Sequence, residues 1–188
     1  MRITGGSARG RRLATFKGVD IRPSSDLVRE AVFNLLGLRS LSETRVLDLF
    51  AGTGSLGIEA LSRGAAQAVF IDYSWKAIEL VRKNLKLCGM EKSGLPLRAD
   101  LAQGLPRGHP SLAERFDLAF LDPPYGKGLI LPLLYELQGQ GPLGPASLVV
   151  AQTERSQDLP RAVGNLETVK ARTYGSTRIT ILELKEDA

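Results

Sequence analysis

The sequence predicts an α/β fold, a doubly wound and mainly parallel sheet that ends in an antiparallel hairpin and carries a small N-terminal hairpin-like extension. Three observations predict it. From residue 45 onward, short apolar runs alternate with helical patterns, as strands joined by right-handed helical crossovers require. A glycine-rich turn joins the first run to the first helical pattern. Two β-rich runs near the end are separated only by Gly175-Ser176, a two-residue hairpin connection.

Taken in order, residues 1–22 are rich in Gly and Arg, with isolated apolar points at Ile3, Leu13, Phe16, Val19 and Ile21, and read as the hairpin-like extension. Residues 23–188 are expected to form the main domain. After Pro23, Val28, Ala31, Val32, Leu35 and Leu36 recur at helical spacing and Gly37 supplies a stop. Residues 45–50 (RVLDLF) read as a buried strand, 55–63 as a helix stopped by Gly64, and 67–72 (QAVFID) as the next strand. Ile78, Val81, Leu85 and Cys88 mark one face of a helix that stops at Gly89, so Cys88 is a packed thiol rather than a nucleophile. Residues 95–99, 116–121 and 147–151 supply three further strands, and 167–174 with 177–184 the closing hairpin.

Composition limits the function classes. The 188 residues suffice for one sizeable core. No apolar run reaches the roughly 18 residues that span a bilayer, and no apolar stretch follows the N-terminus, so a cytoplasmic protein is expected. One cysteine excludes an intramolecular disulfide and any cysteine-based zinc cluster. The formal net charge is +5, and Arg2, Arg9, Arg11, Arg12, Lys17, Arg22 and Arg29 against Asp20, Asp26 and Glu30 place four of those charges in the first thirty residues. That asymmetry suits a polyanionic partner.

Two constellations carry chemistry. In Asp48-Leu-Phe-Ala-Gly-Thr-Gly-Ser-Leu-Gly57, Gly52, Gly54 and Gly57 have G-x-G-x-x-G spacing between strand and helix, which lets the backbone approach a ligand at a helix N-terminus. Asp72 follows Gly52 by twenty positions, where a carboxylate can accept bonds from ribose hydroxyls. The signature fits a nucleoside-containing cofactor. Asp48, inside the strand, suits a cationic amino-acid moiety better than a pyrophosphate. Asp100, after the third strand, is a candidate acceptor for an adenine amino group.

The second is Asp122-Pro123-Pro124-Tyr125 after the fourth strand, where open α/β sheets bind ligands. Two prolines remove two N–H donors and leave a rigid edge of acceptors, the Asp122 carboxylate and the Pro123 carbonyl, matched to an amino group bearing two hydrogens. An exocyclic base amine is a poor nucleophile because its lone pair is delocalised. Two acceptors favour a more pyramidal nitrogen with the lone pair aimed at a methyl group, and Tyr125 can stack on the base.

With both sites in place, the chain resembles the RsmD family of bacterial 16S ribosomal RNA guanine-N2 methyltransferases. The resemblance is carried by MRITGGSARGRRL (1–13), RPSSDLVREAVFNLL (22–36), VLDLFAGTGSLGIEALSRGA (46–65) and FDLAFLDPPYGKG (116–128). It implies a class I methyltransferase (Rossmann-like) fold with a seven-stranded sheet, and S-adenosylmethionine as donor with S-adenosylhomocysteine as product. The implied acceptor is a guanine near the decoding region, guanine 966 in 16S rRNA numbering. Its partner would be 16S ribosomal RNA or the small subunit, met by a monomer. Ser24 stands for the family's usual threonine, Leu27 for its arginine, leaving Arg22 and Arg29 to carry charge on that segment, and Asp72 for the commoner glutamate.

The expected cofactor site is Asp48, Phe50, Ala51, Gly52, Gly54, Asp72, Tyr73, Asp100 and Leu101. The catalytic edge is Asp122, Pro123, Pro124 and Tyr125, the RNA contacts are Arg2, Arg9, Arg11, Arg12, Lys17 and Arg22, and no metal site is readable. Three rivals are weaker. Adenine in DNA or a protein glutamine amide could be the acceptor, but Asp122 in place of asparagine and the basic arm oppose the amide. A nicotinamide dehydrogenase leaves DPPY unexplained. An RNA-binding assembly factor with a vestigial pocket would show damage to these motifs, and they are intact. His109 lies in a Gly/Pro-rich loop and reads as a surface residue.

Overall fold

The computed structural model describes residues 1–16, 24–37, 41–124 and 126–185. Lys17, Arg22 and Tyr125, and the side chain of Ser24, lie outside the described residues.

Among the described residues, eight strands form one sheet with four α-helices packed on it: α1 (Ser24–Leu36), β1 (Arg45–Leu49), α2 (Ser55–Ser62), β2 (Gln67–Asp72), α3 (Trp75–Cys88), β3 (Gly94–Arg98), β4 (Phe116–Leu121), α4 (Ile130–Leu137), β5 (Leu143–Glu154), β6 (Ala162–Val163), β7 (Leu166–Tyr174) and β8 (Thr177–Leu184). The strand order is β3-β2-β1-β4-β5-β8-β7-β6. Strands β1 to β5 are parallel, and β8, β7 and β6 are added antiparallel. The expected seven strands are therefore eight. The extra one, β6, is two residues that pair with the start of β7, too short to leave an alternating pattern in the sequence.

Winding starts at β1, runs outward to β3, then returns to β4 on the other side of β1. The sheet thus reverses direction between β1 and β4, and a crevice opens at their carboxyl ends. Strands β1, β2 and β4 are almost wholly buried, as strands covered on both faces must be. One face carries α1, α2, α3 and the N-terminal hairpin around Phe70 and Phe120. The other carries α4 and the 3-10 turns around Leu47 and Leu121. Helix α4 was not anticipated, yet it is amphipathic by burial, with Ile130, Leu133, Leu134 and Leu137 inside, and its Pro132 sits in the first turn where a missing N–H costs no helical bond.

The N-terminal segment is a hairpin: Ile3 N–H donates to Arg11 O (3.0 Å), Gly10 N–H to Ile3 O (2.8 Å) and Leu13 N–H to Met1 O (3.2 Å). Ile3, Ala8 and Leu13 belong to the core. Its anchor is Glu59 of α2, fully buried, which accepts from Thr4 N (2.8 Å), Thr4 Oγ1 (2.7 Å), Gly5 N (2.8 Å) and the Arg63 guanidinium (2.9 Å). Arg29 of α1 completes the cluster, bonding Glu59 (3.2 Å), Asp26 (3.1 Å) and the Arg2 carbonyl. Arg29 is 2% exposed. It does not carry surface charge as the sequence suggested; it neutralises the buried Glu59 and ties α1 to hairpin and α2.

Candidate functional site

The loop after β1 is shaped by three left-handed residues, Phe50 (φ 60°), Gly52 (φ 55°) and Gly54 (φ 75°). Gly54 begins α2 and adopts a φ that only glycine takes without cost. Ala51 N–H reaches Ile71 O of β2 (3.0 Å) and Gly54 N–H turns back to Ala51 O (2.7 Å), so the loop is pinned across the sheet's end. Gly57 serves close packing: a Cβ there would lie 2.4 Å from the Phe70 ring and 3.1 Å from Asp48 Oδ2. Phe50 is not glycine, and holding it left-handed costs about 1–3 kcal/mol that the surrounding bonds must offset, a pattern concentrated at ligand-binding turns.

Asp48, 2% exposed near the end of β1, accepts from Gly57 N–H through Oδ2 (2.9 Å). Burial pushes its pKa up to about 8, against the Gly57 bond, and the negative charges of Asp122 and Asp72 push it further. In the absence of a cation it is therefore held largely protonated at neutral pH. A positive group entering the crevice would stabilise the ionised form.

Asp72 closes the far side of the loop. Its Oδ2 accepts from Gly52 N–H and its Oδ1 from Ser74 N–H, both at 2.9 Å. The twenty-residue spacing thus has a concrete meaning, a carboxylate that braces the glycine turn, and ionised carboxylate oxygens retain further lone pairs for hydroxyl donors. Beyond it, Tyr73, Arg98, Ala99 and Asp100 line an open cavity of about 320 Å³. Asp100 Oδ1 caps a 3-10 turn by accepting from Ala102 N–H (3.0 Å). Leu101 is 3% exposed and packed in the core, and it is not among the residues lining this cavity.

Asp122 and Pro123 follow β4, the sheet neighbour of β1, and so face the same crevice. Pro123 is buried and Asp122 and Pro124 are exposed. Although Asp122 meets solvent on the rim, the protein around the strand end removes part of its water and pushes its pKa up to about 6. The upward direction is what matters chemically: the carboxylate stays ionised at neutral pH and holds a proton more readily than an ordinary aspartate. Asp48, Phe50, Ala51, Gly52, Gly54, Asp72 and Asp122 thus converge from three adjacent strand ends.

Arg2, Arg9, Arg11 and Arg12 are exposed on the hairpin. Asn84 of α3 was passed over in the sequence. Fully buried, it accepts from Ala14 N–H (2.7 Å) and donates to Ala14 O (3.0 Å) and Thr53 O (2.8 Å), linking hairpin to glycine loop. An asparagine on the apolar face of a predicted helix was the available signal. Arg98, inside the strand expected over 95–99, was also missed. His109 is exposed and caps a 3-10 turn through Ser111.

Comparison with known proteins gives consistent relatives. Residues 1–183 match the family described as conserved hypothetical protein 95. YlbH of Bacillus subtilis (strain 168) is 38% identical over 183 residues, covering 96% of this chain and 97% of that protein. Ribosomal RNA small subunit methyltransferase D of Escherichia coli (strain K12) is 31% identical over 175 residues, 93% of this chain and 85% of that protein. The solved structure of yhhF from Escherichia coli superposes with a TM-score of 0.83 at 28% identity, covering 98% of both chains.

Proposed function

The chain belongs to the conserved hypothetical protein 95 family, the RsmD family, and from that premise we propose that it methylates ribosomal RNA, transferring the methyl group of S-adenosylmethionine to the 2-amino group of a guanine in 16S RNA. The acceptor suggested by the resemblance is guanine 966, presented by 16S RNA or the small subunit to a monomeric enzyme. The observation that carries the reading is the meeting of Asp122-Pro123 with Asp48 and the braced glycine loop where the sheet reverses.

The residues present fit the donor. The left-handed turn at Gly52 and Gly54 gives close backbone approach, Asp72 offers acceptors for ribose hydroxyls, and the cavity at Tyr73 and Asp100 offers a place for an adenine. Asp48, poised between protonated and ionised, answers a cationic amino-acid end. When bound, S-adenosylmethionine supplies an electrophilic methyl on a sulfonium centre.

The chain's own part is to prepare the nucleophile. The Asp122 carboxylate and Pro123 carbonyl accept the two amino hydrogens and concentrate the lone pair on nitrogen. As positive charge builds on that nitrogen, Asp122 stabilises it and receives the proton shed after transfer, a task its raised pKa suits. Tyr125 provides a ring for the base to stack on. Pro124, fixed in φ, keeps the edge rigid.

Transfer of labelled methyl to small-subunit RNA under single-turnover conditions tests this. Asp122→Ala should lower turnover on the order of 10² to 10³-fold while donor affinity holds, as for removal of one oriented polar group. Asp122→Asn, which keeps one acceptor without charge, should retain more if orientation dominates and equal the alanine variant if proton acceptance does. Near-parental transfer by Asp122→Ala would overturn the assignment.

A further inference from the structure

Positive charge is concentrated on one side of the molecule. The described hairpin carries Arg2, Arg9, Arg11 and Arg12 with no acidic residue, and α3 carries Lys76, Arg82, Lys83 and Lys86 against Glu79. All eight cations are exposed, and the rest of the chain is left with a net charge of −2. These two elements are also joined. Arg11 donates to Leu87 O at the end of α3 (2.9 Å), and Asn84 of α3 clasps Ala14 and then Thr53 of the glycine loop. Hairpin and helix therefore make a single cationic face that runs to the rim of the crevice.

At that rim the charge meets an aromatic ledge. Trp75, the first residue of α3, is 55% exposed, and the Arg98 guanidinium lies 5.4 Å from its ring centroid. Arg98 also donates to Tyr73 O (2.9 Å), which fixes the guanidinium in place and with it one face of the indole. A large ring held on one side and open on the other, at the end of a cationic track, is the arrangement that binds a nucleic-acid strand: cations follow the phosphates and the ring stacks a base.

We infer that the outer face of α3, with Trp75 at its head, is the second half of an RNA-binding track begun by the hairpin, and that Trp75 stacks a base flanking the methylated nucleotide. This rests on the proposed function. The cations of α3 follow backbone without reading sequence, and Trp75 anchors the strand next to the crevice so that the target base is presented to Asp122.

The test uses a built-in reporter, since Trp75 is the chain's one tryptophan. A short single-stranded RNA is titrated into the intact protein with S-adenosylmethionine present, following tryptophan emission and, separately, anisotropy of labelled RNA across salt concentrations. The inference expects saturable quenching. It also expects Trp75→Ala to weaken RNA binding about 10-fold, a typical loss for one stacked base. The triple variant Arg82→Gln, Lys83→Gln, Lys86→Gln should reduce the salt slope by up to about 0.7 log unit per lost phosphate contact, about 2 in all. Donor affinity and melting temperature of the triple variant should not move, because Arg82, Lys83 and Lys86 are exposed and none of them lines the cavity at Tyr73 and Asp100. If the parent protein methylates RNA yet emission at saturation or the triple variant's slope is unchanged, the track is refuted and the function stands; a face that docks an acidic protein instead would give that result. If the parent protein neither binds nor methylates RNA, the proposed function falls and the track with it.

Discussion

Replacing Asp48 by Asn separates what this carboxylate costs the fold from what it contributes to binding. Its pKa is raised from 3.8 to about 8, so the folded, ligand-free chain binds a proton there that the unfolded chain releases at neutral pH. A group with a raised folded pKa contributes stability fully below its unfolded pKa and loses it as pH climbs toward the folded value. Between 3.8 and pH 7 that loss amounts to about 4 kcal/mol at 1.36 kcal/mol per unit. Asn is neutral throughout and keeps one acceptor for the Gly57 N–H. Asp48→Asn should therefore match the parent near pH 4 and exceed it by on the order of 10 °C in melting temperature near pH 7, at roughly 2–4 °C per kcal/mol. Binding should move the other way. Parental affinity for cationic S-adenosylmethionine should rise between pH 6 and 8 by up to about tenfold per unit as ionisation becomes cheaper, and the Asn variant should bind more weakly with no such rise. Thermal melts and calorimetry across pH 4 to 8 measure both. A stability difference independent of pH would refute the account of Asp48.

Asp72→Ala should weaken donor binding by about 10- to 100-fold, corresponding to loss of charge-assisted bonds of about 1.5–3 kcal/mol, with the glycine loop loosened because Gly52 and Ser74 lose their acceptor. Calorimetry giving unchanged affinity would remove Asp72 from the site. Glu59→Gln should cost about 3–5 kcal/mol by removing the buried charge opposite Arg29 and leaving it only the partly exposed Asp26 as a counter-charge, read from urea unfolding, and a loss below about 1 kcal/mol would contradict the anchoring role.

The parallel half of the fold was readable because β1, β2 and β4 are buried on both faces and leave continuous apolar runs, while α3 leaves a clean helical stripe ended by a left-handed Gly89. Helix α4 escaped because its residues are apolar almost all round and Pro132 argues against a helix until its first-turn position is known. In the site, the spacing of Asp48, the glycines, Asp72 and Asp122 was legible as chemistry. That Asp72 braces Gly52 was not, since both of its bonds are to backbone N–H groups and leave no trace in residue identity. Arg29 misled for the complementary reason: an arginine in a basic segment looks solvent-facing, and only the fold brings Glu59, thirty positions away, beneath it. Trp75 and Arg98 meet only when α3 and the end of β3 are placed side by side.

The central claim is that this crevice holds a guanine 2-amino group against the Asp122-Pro123 edge. Small subunits lacking the modification should be incubated with the protein and labelled S-adenosylmethionine, and their RNA digested to nucleosides for mass spectrometry. The account predicts label in N2-methylguanosine at a single 16S position, incorporated on the order of 10² to 10³-fold more slowly by Asp122→Ala. Label in a methylated adenosine, in a ring nitrogen of guanine or in ribosomal protein would contradict it.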